Sequence, residues 1–106
     1  MRGLYMEYVG YFSELNLSRD TGSILSLIVF EVNYDKEKMI DYLRSRKYTA
    51  RCLKKIIDCV TGDYISSNYV VYDDGEFCWC DFLIYHVHKY DIMLPDRLID
   101  KAGARL

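Results

Sequence analysis

Residues 61–80 read TGDYISSNYVVYDDGEFCWC, and the fold prediction starts from this stretch. Glycine lies among polar residues at Gly62 and again at Gly75, and it supplies the positive φ angle that tight turns need. The segments that flank these turns, residues 49–60, 64–72 and 76–80, contain the β-branched and aromatic residues that favour strands. Two glycine turns between three extended segments predict an antiparallel meander.

Helical patterns are present before and after this meander. Residues 35–46 predict a helix that Asp35 caps and that ends in basic residues. From Asp81, a possible cap, apolar residues recur at helical spacing, and Pro95 begins a last short helix. The buried stripe of the first helix is predicted to be Met39, Ile40 and Leu43.

The run of residues 23–30 is too short and too apolar to be assigned by pattern alone, since it fits a buried strand or a short helix capped by Ser23. The helix is slightly favoured. Helices, then a meander, then helices predict an α+β fold: a small antiparallel β-meander of about three strands packed with three to four short helices. We expect residues 1–106 to form a single domain, with Trp79 largely buried.

Composition excludes several classes of protein. The chain has 106 residues, of which 51% are hydrophobic and 28% charged, so it is not intrinsically disordered. Its longest apolar run, residues 24–30, is far shorter than the ~20 residues of a membrane-spanning helix, and no signal-peptide pattern precedes it. We therefore expect a cytoplasmic protein, with no membrane partner, whose four cysteines are reduced.

The charges are strongly segregated along the chain. Residues 36–55 carry eight basic and two acidic groups, whereas residues 56–88 carry six acids and no lysine or arginine. Aromatic residues are interleaved with those acids, which favours an anionic, aromatic surface for a basic partner. The alternative is that the acids lie in turns and the aromatics in strands for purely structural reasons.

Few residues suggest catalysis or metal binding. Cys78, Cys80, His86 and His88 are ligand types that zinc prefers, but their spacing is not that of a zinc site, and two helix-surface histidines are the simpler interpretation. No activated serine or cysteine motif and no phosphate-binding loop is present. We expect neither an enzyme nor a cofactor.

The sequence resembles a known group of proteins at several points. The segments that carry the resemblance are residues 10–15, Ile40-Asp41-Tyr42-Leu43, Asp74-Gly75-Glu76-Phe77-Cys78-Trp79, Leu83, Tyr85, Val87, Lys89-Tyr90 and Leu94-Pro95. They are similar to immunity proteins of bacterial contact-dependent growth-inhibition and polymorphic toxin systems. The resemblance implies a non-catalytic inhibitor that binds one cognate toxin domain in a 1:1 complex and covers its active site. Many such toxins are nucleases with basic clefts, which carboxylates and aromatic rings can fill.

The predicted partner-binding residues come from the acidic, aromatic stretch. They are Asp58, Asp63, Tyr64, Tyr69, Tyr72, Asp73, Asp74, Glu76, Phe77 and Asp81. Those around Gly75 are expected to be exposed, because turn residues reach into solvent. The alternative function is a small nucleic-acid-binding or regulatory module that uses the basic residues 36–55, although the pI of about 5.6 is low for that class and we expect no direct nucleic-acid contact.

Overall fold

A computed structural model describes residues 6–106 of the protein. The meander consists of β2 (Tyr48–Ile57), β3 (Tyr64–Asp73) and β4 (Phe77–Cys80), which pair antiparallel in that order. A two-residue strand, β1 (Glu7–Tyr8), pairs parallel with β4, so the sheet is mixed and has the order β1-β4-β3-β2. The predicted meander is confirmed, and β1 is an addition too short for a sequence pattern to reveal.

Within the described residues, three α-helices complete the predicted α+β fold: α1 (Lys36–Ser45), α2 (Asp81–Lys89) and α3 (Asp96–Lys101). The Asp35 carboxylate accepts a hydrogen bond from the Lys38 N–H at 3.1 Å, which confirms the predicted cap of α1. Two predicted starts are displaced by one residue. Asp81 is the first helical residue of α2 and Cys80 its cap, and Pro95 precedes α3 rather than beginning it.

Strand β4 lies at the centre of the core and is buried on both faces. Trp79 is fully buried, as predicted, and its indole Nε1 donates to the Leu43 carbonyl of α1 at 3.2 Å. The ring of Tyr72 stacks on Trp79 with the ring centroids 6.4 Å apart. The predicted stripe of α1, namely Met39, Ile40 and Leu43, is buried in the same core.

The N-terminal segment approaches α2 unusually closely at Gly10. This residue has φ +79°, and a Cβ there would lie only 2.7 Å from Leu83 Cδ1. Glycine is therefore required both for the backbone conformation and for the contact.

Residues 23–30 form neither a strand nor a full helix. One 3₁₀ turn, Ile24–Ser26, is capped by the Ser23 hydroxyl, which accepts from the Leu25 N–H. Beyond it the backbone bonds to the segment after α2: the Val29 N–H donates to Asp91, and the Leu27 carbonyl accepts from Met93. Within residues 6–106, no helix is long and apolar enough to cross a membrane.

Candidate partner-binding surface

The fold pairs three of the six acids of residues 56–88 with cations from other parts of the chain. Lys89 reaches the Asp58 carboxylate at 3.2 Å, and Lys101 reaches Asp74 at 3.3 Å. Glu76 pairs with both Lys101 and Arg97. The other three acids, Asp63, Asp73 and Asp81, make no ion pair within residues 6–106. Since half of its acids are paired with cations, the stretch does not fold into one continuous anionic patch.

Asp58 is buried, whereas the sequence predicted that it lies on the partner-binding surface. Burial alone would raise its pKa, but hydrogen bonds to its carboxylate outweigh burial and hold the pKa well below its usual range. The donors are the backbone N–H groups of Val60 and Thr61 at 2.8 and 3.0 Å and the hydroxyls of Tyr85 and Tyr90 at 2.7–2.8 Å. Asp58 thus fixes the connection between β2 and β3 onto α2.

His86 of α2 also fixes this connection, through a hydrogen bond to its backbone. Its ring is fully buried, with Nδ1 2.7 Å from the Phe82 carbonyl, and its Nε2 accepts from the Cys59 N–H at 2.9 Å. The proton therefore lies on Nδ1 and the ring is neutral, and burial lowers its pKa. The expectation of two helix-surface histidines is correct for His88, which is exposed, and wrong for His86.

The connection, residues 58–64, is called the hairpin tip below. A backbone bond from the Asp58 N–H to the Asp63 carbonyl at 2.8 Å closes it. Val60, Asp63 and Tyr64 are exposed on it, Tyr64 to 62%. The tip therefore presents apolar and acidic side chains on a backbone that buried groups hold in place.

The second turn, residues 73–77, joins β3 to β4 and is closed by Asp74. The Asp74 side chain is only 1% exposed and accepts from the Glu76 and Phe77 N–H groups at 2.9 and 2.7 Å and from the Tyr42 hydroxyl at 2.6 Å. Phe77 is fully buried beneath Arg97 and Lys101. The expected exposure of Asp74 and Phe77 is therefore wrong, because both close the turn from inside.

Asp73 is partly exposed in the second turn, where its carboxylate accepts from the Gly75 N–H at 3.0 Å. Glu76 is also partly exposed, but it is engaged by the cations of α3. This turn therefore offers a partner little free charge.

Tyr69, Tyr72 and Asp81 are all partly buried. Tyr69 packs edge-on against Phe82. Tyr72 and Asp81 meet in an open groove of about 790 Å³ between α1, β3 and α2, which also contains the cations Arg44 and Lys89. Burial raises the pKa of Asp81. This groove is mixed in charge rather than acidic.

Nine of the ten predicted residues thus form three separate groups, and the tenth, Tyr69, packs against Phe82 outside them. Asp58, Asp63 and Tyr64 come together at the hairpin tip, and Tyr72 and Asp81 in the groove. The residues of the second turn lie at the opposite end of β3, which at ten residues is about 30 Å long. The fold therefore does not place all ten predicted residues where a single partner could contact them.

The sequence pattern missed a second exposed apolar segment. Of the nine large hydrophobic residues exposed among residues 6–106, six belong to residues 23–30, to the hairpin tip or to the segment just after α2: Leu25, Ile28, Phe30, Val60, Tyr64 and Met93. Tyr90 anchors the hairpin tip and the next residue, Asp91, anchors residues 27–33. The only sequence signal is the apolar run of residues 24–30, which fits a buried strand or a short helix and does not indicate which side chains are exposed.

Comparison of the chain with models of protein families, with curated proteins and with solved structures finds no match.

Proposed function

We propose that this chain is an immunity protein: in the cytoplasm it binds one toxin domain in a 1:1 complex and blocks the active site without catalysis of its own. The toxin domain is basic and of the nuclease class. The single observation that carries the proposal is the rigid hairpin tip, which holds Val60, Asp63 and Tyr64 in solvent through the buried Asp58 and His86.

A tip of this kind suits tight binding for an energetic reason. Ordering a flexible loop at an interface costs free energy, and a tip already fixed by buried hydrogen bonds avoids most of that cost. Tyrosine is also among the residues most often found as binding hot spots. Tyr64, at the start of β3, combines a ring and a hydroxyl at an exposed position.

The resemblance to immunity proteins supports the scaffold rather than the contact surface. Phe77, Trp79, Leu83 and Val87 are among the residues that carry it, and all four are fully buried. Residues that build a core can be shared while exposed residues differ between proteins with different partners.

The choice of a basic partner follows from charge. The chain has a net charge of −2 and a pI of about 5.6, and a negative protein associates faster with a positive one. Asp63 at the hairpin tip contributes an exposed carboxylate close to the proposed contact.

A second candidate, nucleic-acid binding, is favoured by one observation. The basic side chains Arg46, Lys47, Arg51, Lys54 and Lys55 are all exposed, on β2 and on the residues between it and α1. Such a stripe contacts phosphates, and the affinity would fall steeply with salt.

Co-expression with the toxin domain encoded immediately upstream tests the proposal. Wild-type chain should restore growth, Asp63→Lys/Tyr64→Ala should lose most of the protection, and the matched double variant Lys54→Glu/Lys55→Glu should keep it. Far-UV circular dichroism confirms that each variant is folded. Failure of the wild type to protect would overturn the proposal. Loss of protection only in Lys54→Glu/Lys55→Glu would move the contact to β2. A salt titration of binding to single-stranded RNA would then test the second candidate.

A further inference from the structure

An open groove of about 710 Å³ lies beside residues 27–33, on a part of the molecule that the ten predicted residues do not reach. Its walls are mostly apolar and include Val9, Leu27, Val32, Leu83 and Met93. Among residues 6–106, the charged residues that line it are Glu31 and Asp96, and no lysine or arginine does so.

Phe30 lies beside this groove but does not line it. Its neighbours Val29 and Glu31 both line the groove, yet the Phe30 side chain is 100% exposed. The backbone around it is fixed by the Val29–Asp91 and Leu27–Met93 hydrogen bonds at 2.9 and 2.8 Å. A small molecule inside the groove would leave this ring in water, whereas a protein partner can cover the ring and fill the groove together.

The charges around the groove favour a partner segment that carries positive charge. Asp96 is held by Arg105 at 3.5 Å, and Arg19 stacks on the ring of Tyr8, another wall residue. Glu31 is exposed and makes no ion pair within residues 6–106. An incoming cation would therefore find a free carboxylate at the rim of an apolar groove.

We propose that this groove binds a segment of the partner in which apolar side chains are flanked by lysine or arginine. The identity of the partner as a toxin domain rests on the proposed function, but the chemistry of the segment does not. A second copy of this chain is the less favourable occupant, because reciprocal docking of Phe30 would bring the two Glu31 carboxylates towards each other's acidic rims.

Two synthetic peptides of equal apolar content test the chemistry directly. Gly-Lys-Phe-Leu-Lys-Gly and Gly-Glu-Phe-Leu-Glu-Gly are titrated into the isotopically labelled full chain, and amide shifts are followed by NMR. The lysine peptide should shift residues 27–33 and 92–96, the glutamate peptide should bind at least ten-fold more weakly, and Glu31→Lys should remove the difference. Equal binding of the two peptides, no binding of either, or shifts confined to other surfaces would overturn the proposal.

Affinity for the toxin domain supplies the second test. Phe30→Ser and Glu31→Lys should each weaken binding at least ten-fold, while Leu53→Ser on β2 and Glu37→Lys on α1, matched controls at exposed positions, should change it less than two-fold. Wild-type affinity in the Phe30 and Glu31 variants would overturn the proposal that the groove binds the partner, but not the proposed immunity function. If wild type does not bind the toxin domain, the immunity function fails and the peptide titration alone decides the groove. Sedimentation of the free chain as a dimer that Phe30→Ser dissociates would assign the groove to a second copy instead.

Discussion

Two turns flank strand β3, and each is held from inside by a buried aspartate. Asp58 at the hairpin tip and Asp74 at the second turn each accept two backbone N–H bonds and pair with a lysine. Asp58 also accepts from two tyrosine hydroxyls, whereas Asp74 accepts from one. The pKa of Tyr90 at the hairpin tip and that of Tyr42 at the second turn are both raised to about 12. Burial is the larger cause, and the hydrogen bond to the aspartate is the second. The two turns differ in what they show to solvent, since the tip exposes Val60 and Tyr64 whereas the second turn buries Phe77.

This difference teaches that an acidic sequence is not the same as an acidic surface. Aspartate is frequent in turns because its side chain accepts the N–H groups of the next residues, and both Asp58 and Asp74 do this. The aspartates that look most available in the sequence are therefore the least available in the fold. The residues free to bind a partner are those that the aspartates position.

The largest expected effect is on stability, from removing each anchor. Asp58→Ala should lower the free energy of unfolding by about 3–5 kcal/mol, because it leaves two phenols and two N–H groups without their acceptor. Asp74→Ala should cost less, about 2–3 kcal/mol, since it strands one phenol instead of two. Urea unfolding measures both, with Asp41→Ala on the exposed face of α1 as the control. Equal, small losses in all three would contradict the anchoring role.

The pH dependence of the free energy of unfolding should distinguish the two turns, because only the hairpin tip is anchored by a buried histidine. The pKa of His86 is lowered by burial, so below the unfolded-state pKa of about 6.5 the unfolded chain binds a proton that the folded chain does not. Stability from His86 is therefore complete above that pH and falls as the pH decreases, by at most about 1.4 kcal/mol per unit. Urea unfolding between pH 7 and 5.5 measures the slope. His86→Gln should flatten it, and an unchanged slope in that variant would refute the assignment.

The smallest effects on stability should come from Asp63 and Asp73, the turn carboxylates without an ion pair within residues 6–106. Asp63→Lys should change the free energy of unfolding by no more than about 0.5 kcal/mol, and Asp73→Lys by about 1 kcal/mol, because it also removes the hydrogen bond from the Gly75 N–H. They should differ in binding: Asp63→Lys slows association with the toxin domain, whereas Asp73→Lys has little effect. Stopped-flow association at two salt concentrations measures this. A larger effect from Asp73→Lys would place the contact at the second turn.

Local patterns predicted most of the fold, because turns, caps and apolar stripes are set by neighbouring residues. The glycine turns and the stripe of α1 are examples. The partners of the acids could not be predicted, since Asp58 meets Tyr90 across 32 residues and Glu76 meets Lys101 across 25. Residues 23–30 failed for a similar reason: their backbone bonds to the segment after α2, which no local pattern encodes.

Hydrogen–deuterium exchange of the chain, free and bound to the toxin domain, tests the central claim most directly. The claim is that the partner contacts the C-terminal end of α2 through the hairpin tip and residues 27–33. The expected result is added protection in residues 59–64 and 27–33, with little change in residues 73–77. Protection concentrated in residues 73–77, with none at the tip, would contradict it.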